Sequence, residues 1–241
     1  MTEPSVEEPR AEEPPAREPV FNLPAIVIAF IAACVAVHLL RAFALSQDQD
    51  LSLLLRFAFW PIRYSGGYDL DVYAFVSPVS YSLLHGSAVH LGVNMIWLAA
   101  FGSPLAARIG AVRFVLFWIA TTLGAVALHY ALYSQSAVPL VGASGAISGM
   151  MGAAARFAFR IDRSRGKGAF SGRILSIPEV LRTRQTVTFL AVWMVVNVVA
   201  GLGFGTPGME SQIAWEAHIG GFLIGFLGLR LFDRPSRGYD A

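Results

Sequence analysis

Long runs without any charged residue constrain this chain more than any other feature of its sequence. Of the 241 residues, 18 are Lys or Arg and 16 are Asp or Glu, which makes 14% charged; an ordinary soluble domain has roughly 25%. The charges are concentrated in residues 1–18 and 156–184, which leaves long stretches that are apolar or small. Because so few charges cannot coat a soluble particle of this size, a soluble enzyme is excluded and a membrane protein is predicted.

Six of these runs are suited to crossing a bilayer, for which a helix needs about 20 residues: 20–40, 79–107, 114–133, 139–155, 186–204 and 217–229. Residues 41–76 mix charged and aromatic side chains, which is typical of the lipid headgroup region. The sequence therefore predicts an all-α membrane protein, a six-helix bundle over residues 20–233 with a long interfacial first loop. A Pro/Glu-rich tail at 1–19 is predicted to be disordered, and 234–241 to be a short cytoplasmic tail.

The loop charges predict the orientation of the spans. Connections rich in Lys and Arg alternate with nearly neutral ones, so the positive-inside rule places both termini in the cytoplasm. The second, fourth and sixth spans then run from outside to inside. The net charge is only +2 and the Arg clusters border apolar runs, which indicates membrane topology rather than nucleic-acid binding. The single cysteine, Cys34, lies in an apolar run, which excludes disulfides and cysteine metal sites.

Ionisable or nucleophilic groups at membrane depth are costly and indicate function. Near the outer ends of these three spans lie His85, His90 and Asn94 in the second, Ser144 between Gly142 and Gly145 in the fourth, and His218 in the sixth. Counted along their helices, Ser144 and His218 would both lie on the order of 8 Å below the outer ends. Histidine is the usual base for a serine nucleophile. These residues therefore indicate a Ser–His dyad without an acidic third member, since Glu216 should face another side of its helix.

Several of these residues also have a purely structural interpretation. A lone membrane serine usually bonds to a carbonyl one turn earlier, and three histidines could form a metal site. His38 and His129 are interpreted as packing or interface residues, and Asn197 as one half of an interhelical hydrogen bond. Glycines such as Gly221 and Gly225 favour close helix packing, while Gly142 and Gly145 would let a substrate backbone approach Ser144.

Three motifs resemble those of the rhomboid intramembrane serine proteases. The segment from His85 through His90 to Asn94 is similar to the His-x4-His-x3-Asn signature of that family's second helix. The segments around Ser144 (Gly-Ala-Ser-Gly) and His218 (Ala-His-x-x-Gly) resemble its nucleophile and base motifs. They occur in the family's order, and the resemblance covers roughly residues 20–233.

The resemblance implies cleavage of other transmembrane proteins near the membrane surface, without a cofactor, in a bacterial inner (cytoplasmic) membrane. It assigns Ser144 as nucleophile, His218 as general base, His90 and Asn94 as oxyanion stabilisers, and His85 as a residue that shapes the site. The lipid bilayer and transmembrane substrates are the expected partners. An inactive family member that binds client helices is the alternative, whereas a transporter would be expected to show an internal repeat and a midplane polar site.

Two departures from the family pattern concern the surroundings of the site. Many members carry a Trp-Arg pair in the first loop, where this chain has Val76 and Ser77, so Trp60 and Arg63 are expected to anchor the loop instead. Many also have a tyrosine four residues after the serine, and here that residue is Ser148. The histidine is therefore expected to be held more loosely.

Overall fold

The computed structural model describes residues 23–158, 172–201 and 214–233. In these ranges the chain is helical, and its one strand pairing is an isolated antiparallel bridge between Phe59 and Leu140. The α-helices are α1 (Ala25–Leu39), α2 (Gln47–Phe57), α3 (Val72–Ser80), α4 (Ala88–Trp97), α5 (Ser103–Ile109), α6 (Ala111–Tyr133), α7 (Ser144–Phe157), α8 (Ile177–Arg182), α9 (Arg184–Gly201) and α10 (Trp215–Phe232). The prediction of an all-α protein is confirmed, while both predicted tails lie outside the described residues.

Among the described residues, three helical stretches have the length and composition to cross a bilayer. They are Ala25–Ala44, Ala88–Ile109 and Ala111–Tyr133, with 20, 22 and 23 residues. The first and second include wider π-helical turns, at Leu40–Ala44 and Leu98–Gly102, which prolong α1 and join α4 to α5. Large apolar side chains point outward from these stretches, for example Phe43 at 82% and Ile96 at 68% exposed. Such a surface is favourable in lipid and unfavourable in water.

Two predicted helix boundaries are wrong. The second span was expected to begin at residue 79, but α3 ends at Ser80 and α4 begins only at Ala88, where the Ser87 hydroxyl caps the His90 N–H at 3.1 Å. The fourth span was expected from residue 139, but α7 begins at Ser144. The segment before it is extended, because Leu140 pairs with Phe59 instead of joining the helix. Ser144 is therefore the first helical residue, not one that lies 8 Å along a helix.

The predicted first loop contains α2, a 3₁₀ turn at Pro61–Tyr64, and α3. Trp60 Nε1 donates to the Leu54 carbonyl at 3.0 Å, and the Arg63 guanidinium donates to the Leu55 carbonyl. Both contacts fasten the 3₁₀ turn to the end of α2. Trp60 and Arg63 thus anchor the loop in the way that the sequence suggested.

Helix α7 lies at the centre of the bundle, since every residue from Gly145 to Phe157 is buried. It packs closely against α10 and also against α6. The approach to α10 depends on glycine: a Cβ on Gly221 would overlap the carbonyl oxygen of Gly145, and a Cβ on Gly225 would overlap that of Gly149. The predicted packing role of Gly221 and Gly225 is therefore seen directly as backbone-to-backbone contact.

Arginine side chains hold the opposite end of the bundle together. Arg156, at the end of α7, is buried and donates to the carbonyls of Leu175 at 2.7 Å and Phe226 at 2.6 Å. Arg108, at the end of α5, makes a bidentate salt bridge to Asp233, with 2.9 Å from Nε to Oδ1 and 2.8 Å from Nη2 to Oδ2. Since α7 and α10 both run toward this basic end, their N-terminal ends lie together at the other.

Candidate active site

A short extended segment precedes α7 and places Ser144 at the N-terminal end of that helix. Gly142 has a φ of +120°, a conformation that other residues rarely adopt, and its N–H donates to the Tyr81 carbonyl at 3.0 Å. Helix α7 then begins at Ser144. Because the first N–H groups of a helix have no partner within it, the backbone around Ser144 offers hydrogen-bond donors beside the serine hydroxyl.

His218 lies in the first turn of α10, which begins at Trp215. Its Nε2 is 2.8 Å from the Oγ of Ser144, 74 residues earlier in the chain. The sequence predicted that these two residues would meet because their helices start at the same membrane face. The structure brings them into hydrogen-bond contact, at the point where α7 and α10 pack through Gly145 and Gly221.

The second ring nitrogen of His218 is also occupied. Its Nδ1 lies 2.5 Å from Oδ1 of Asn197 on α9, and the Asn197 Nδ2 donates to the Trp193 carbonyl at 3.0 Å. The interpretation of Asn197 as an interhelical hydrogen bond was right in kind but missed its partner. The expectation of a loosely held histidine, based on Ser148, therefore overlooked a contact. The sequence signal that could have revealed this contact was Asn197 itself, an amide side chain alone in a long apolar run.

His90 and Asn94 lie beside the segment that precedes the serine. A Cβ built on Gly142 would be 2.8 Å from the His90 ring and 3.7 Å from Asn94 Nδ2. Asn94 is 4% exposed, and its Nδ2 has no hydrogen-bond partner among the described residues. A buried amide N–H₂ is costly to leave unpaired. This donor therefore suits a site where an oxygen atom arrives from outside the protein.

His85 is a buried residue that packs against His90. It is 1% exposed, and its ring meets that of His90 edge-on with centroids 5.2 Å apart. The Arg41 guanidinium donates to its backbone carbonyl at 2.9 Å. His85 thus lies next to His90, which in turn lies beside the segment that precedes Ser144. Over the described ranges, no three His, Cys, Asp or Glu side chains are arranged to hold a metal ion.

His129 was interpreted as a packing or interface residue, and the sequence did not reveal its polar partner on another helix. Its Nδ1 lies 2.6 Å from Oε1 of Glu216, and both side chains are at least nine-tenths buried. The two residues come from α6 and α10, so their contact depends on how each helix is rotated about its axis. Glu216 does face away from His218, as predicted, and it is engaged by His129.

The geometry supports one kind of chemistry. A serine hydroxyl that donates to a neutral imidazole becomes a nucleophile when the imidazole takes its proton. Unpaired donors lie nearby, on Asn94 and at the start of α7, where negative charge would develop on a carbonyl oxygen. Nucleophile, base and donors thus come from α4, α7 and α10, and they meet at one end of the bundle.

Comparison with known proteins agrees with the motifs. A family model described as the Rhomboid domain matches residues 72–233, a range that includes every candidate site residue. RHOMBOID-like protein 4 of Arabidopsis thaliana is 33% identical over 162 residues, which are 67% of this chain and 35% of that protein. RHOMBOID-like protein 5 of the same plant is 29% identical over 157 residues, 65% of this chain and 44% of that protein. The chain thus spans less than half the length of these curated relatives, and it belongs to the rhomboid family of membrane proteins.

Proposed function

We propose that this chain is an intramembrane serine endopeptidase that cleaves transmembrane helices of other membrane proteins. The observation that carries the proposal is the 2.8 Å contact between Ser144 Oγ and His218 Nε2. A serine–imidazole pair at this distance, at the end of a bundle with a lipid-facing surface, can cut a peptide bond that lies in the membrane. The reaction needs no cofactor, because both reacting groups belong to the chain.

The steps follow from the positions of the side chains. His218 takes the proton of Ser144 as Oγ attacks the scissile carbonyl carbon, and it later gives that proton to the leaving amine. The resulting acyl-enzyme is hydrolysed by water, with His218 again as the base. The oxyanion accepts hydrogen bonds from Asn94 Nδ2, from the Ser144 backbone N–H and from His90. His85, Gly142 and Gly145 shape the space around them.

The proposed protease has six spans over residues 20–233. In addition to the three helices of membrane length, α7, α9 and α10 are proposed as the remaining three. Arg108, Arg113 and Arg156 lie at the end opposite Ser144, so the positive-inside rule places the serine near the outer face. Both termini are then cytoplasmic, in a cell inner (cytoplasmic) membrane, and the substrates are cut near its outer surface.

The test is cleavage of a fluorescent transmembrane substrate by the purified full chain in liposomes. Ser144→Ala and His218→Ala should each lower the rate by several orders of magnitude. Ser103→Ala, a serine at the start of α5 whose hydroxyl donates to the Ala99 carbonyl at 2.6 Å, is the control and should cleave like the wild type. Labelling by a fluorophosphonate probe should occur at Ser144 and should be lost in both Ser144→Ala and His218→Ala. Cleavage that is equal in the wild type and Ser144→Ala would refute the proposal, and a wild type that neither cleaves nor is labelled would indicate a client-binding protein.

A further inference from the structure

Three hydrogen bonds run in sequence from α9 to the serine. Asn197 Nδ2 donates to the Trp193 carbonyl at 3.0 Å, and this contact fixes which end of the Asn197 amide is oxygen. The oxygen, Oδ1, then lies 2.5 Å from His218 Nδ1, and His218 Nε2 lies 2.8 Å from Ser144 Oγ. Because an amide oxygen can only accept, Nδ1 must carry the ring proton. Nε2 is therefore left unprotonated and faces the serine hydroxyl.

We propose that Asn197 is a positioning residue that selects the tautomer and the ring orientation of His218 for proton transfer from Ser144. This inference rests on the proposed protease function and deepens it, because it adds a third member to a pair that the sequence suggested was complete. The tautomer with its proton on Nε2 could not accept the serine proton. A neutral imidazole without a partner on Nδ1 would populate both forms.

The packing of α9 supports this role. Of residues 191–199, only Trp193 and Asn197 are buried, and they lie four apart on one helix face. Trp193 stacks on Phe222 of α10 with ring centroids 4.5 Å apart, so this part of α9 is seated against the helix that carries His218. Asn197 is 6% exposed and projects from an otherwise apolar stretch. A polar group buried there is costly unless it is hydrogen-bonded, and both ends of this amide have a partner.

No carboxylate takes this position in the part of the chain that the structure describes. Glu216 is the nearest acid along α10, but it is bound to His129. The group that contacts Nδ1 of the imidazolium formed during the reaction is therefore an amide oxygen rather than a carboxylate. A carboxyl group at position 197 would keep an oxygen acceptor for Nδ1, whereas an apolar side chain would remove it.

Three variants test the inference. Asn197→Leu has a similar volume and no acceptor, so kcat should fall roughly ten- to a hundredfold with KM unchanged. Asn197→Asp keeps the acceptor and should recover most of that loss. Thr186→Val is the matched control: it changes a buried polar residue of the same helix whose hydroxyl has no partner within the described residues, and it should cleave like the wild type.

A spectroscopic measurement separates positioning from protease function. In ¹⁵N-histidine NMR spectra, the His218 signals, identified by their absence in His218→Ala, should show a protonated Nδ1 in the wild type and in Thr186→Val, and a mixture of tautomers in Asn197→Leu. This readout does not require cleavage, so an inactive wild type would refute the protease proposal alone. An unchanged tautomer and kcat in Asn197→Leu, or equal losses in Asn197→Leu and Asn197→Asp, would overturn the inference.

Discussion

Replacing Gly221 by alanine should separate the serine from the histidine without touching either. A Cβ at position 221 would lie 2.8 Å from the carbonyl carbon and 3.3 Å from the Cα of Gly145, and would overlap the Gly145 carbonyl oxygen. Carbon atoms pack at about 3.5–4.0 Å, so α7 and α10 must move apart locally by about 1 Å. Gly145 adjoins Ser144, and Gly221 is one turn from His218, so the displacement acts directly on their 2.8 Å contact.

A displacement of about 1 Å can cost roughly a hundredfold in rate, and overpacking of this kind typically costs about 1–3 kcal/mol of stability. The assay is cleavage of the transmembrane substrate in liposomes, together with thermal unfolding in detergent. Gly228→Ala is the matched control on the same helix, because a Cβ there meets only a Phe232 ring atom at 3.9 Å. If Gly221→Ala cleaves as fast as Gly228→Ala, the glycine contact does not set the distance between the reacting groups.

Two further predictions concern the partners of two glutamates. His129→Leu leaves the buried Glu216 side chain without its hydrogen-bond partner and should destabilise the protein by about 1–3 kcal/mol, whereas the double variant with Glu216→Leu should recover most of that loss in unfolding experiments. If the single and the double variant lose the same stability, the two side chains do not interact. The Arg173 guanidinium and the Ser176 backbone and hydroxyl hold the pKa of Glu179 well below its ordinary value of 4.5. A carboxyl group whose pKa is lowered in the folded protein stabilises the fold at pH values above its ordinary pKa, and this stabilisation is lost as the pH falls. Glu179→Gln should therefore speed backbone amide exchange in residues 172–182 at pH 7, and the difference from the wild type should become smaller below pH 4.5. A difference that does not change with pH would contradict a role of the ionised carboxylate.

The sequence was sufficient to predict the contact between Ser144 and His218, because the alternation of its apolar runs, the chemistry of a serine and a histidine, and the resemblance of their motifs all indicated the same pair. It was not sufficient for the partners of Asn197 and His129. Each residue turns a helix by about 100°, so the direction of a side chain depends on where the helix begins and how it is rotated. The start of α7 shows the difficulty: Pro139 opens an apolar run, but the pairing of Leu140 with Phe59 delays the helix to Ser144. That pairing joins residues 81 positions apart, and no local pattern signals it.

The two glycine contacts between α7 and α10 also fix the axial register of the two helices. Gly145 meets Gly221 and Gly149 meets Gly225, one helical turn apart in each helix. Sliding α10 by one residue would bring Phe222 and Phe226 into these places, where the backbone of α7 leaves no room for a side chain. The height of His218 relative to Ser144 is thus set by the spacing of small residues along two helices. A one-residue insertion between His218 and Gly221 would keep every reacting group and still leave the base out of line with the nucleophile.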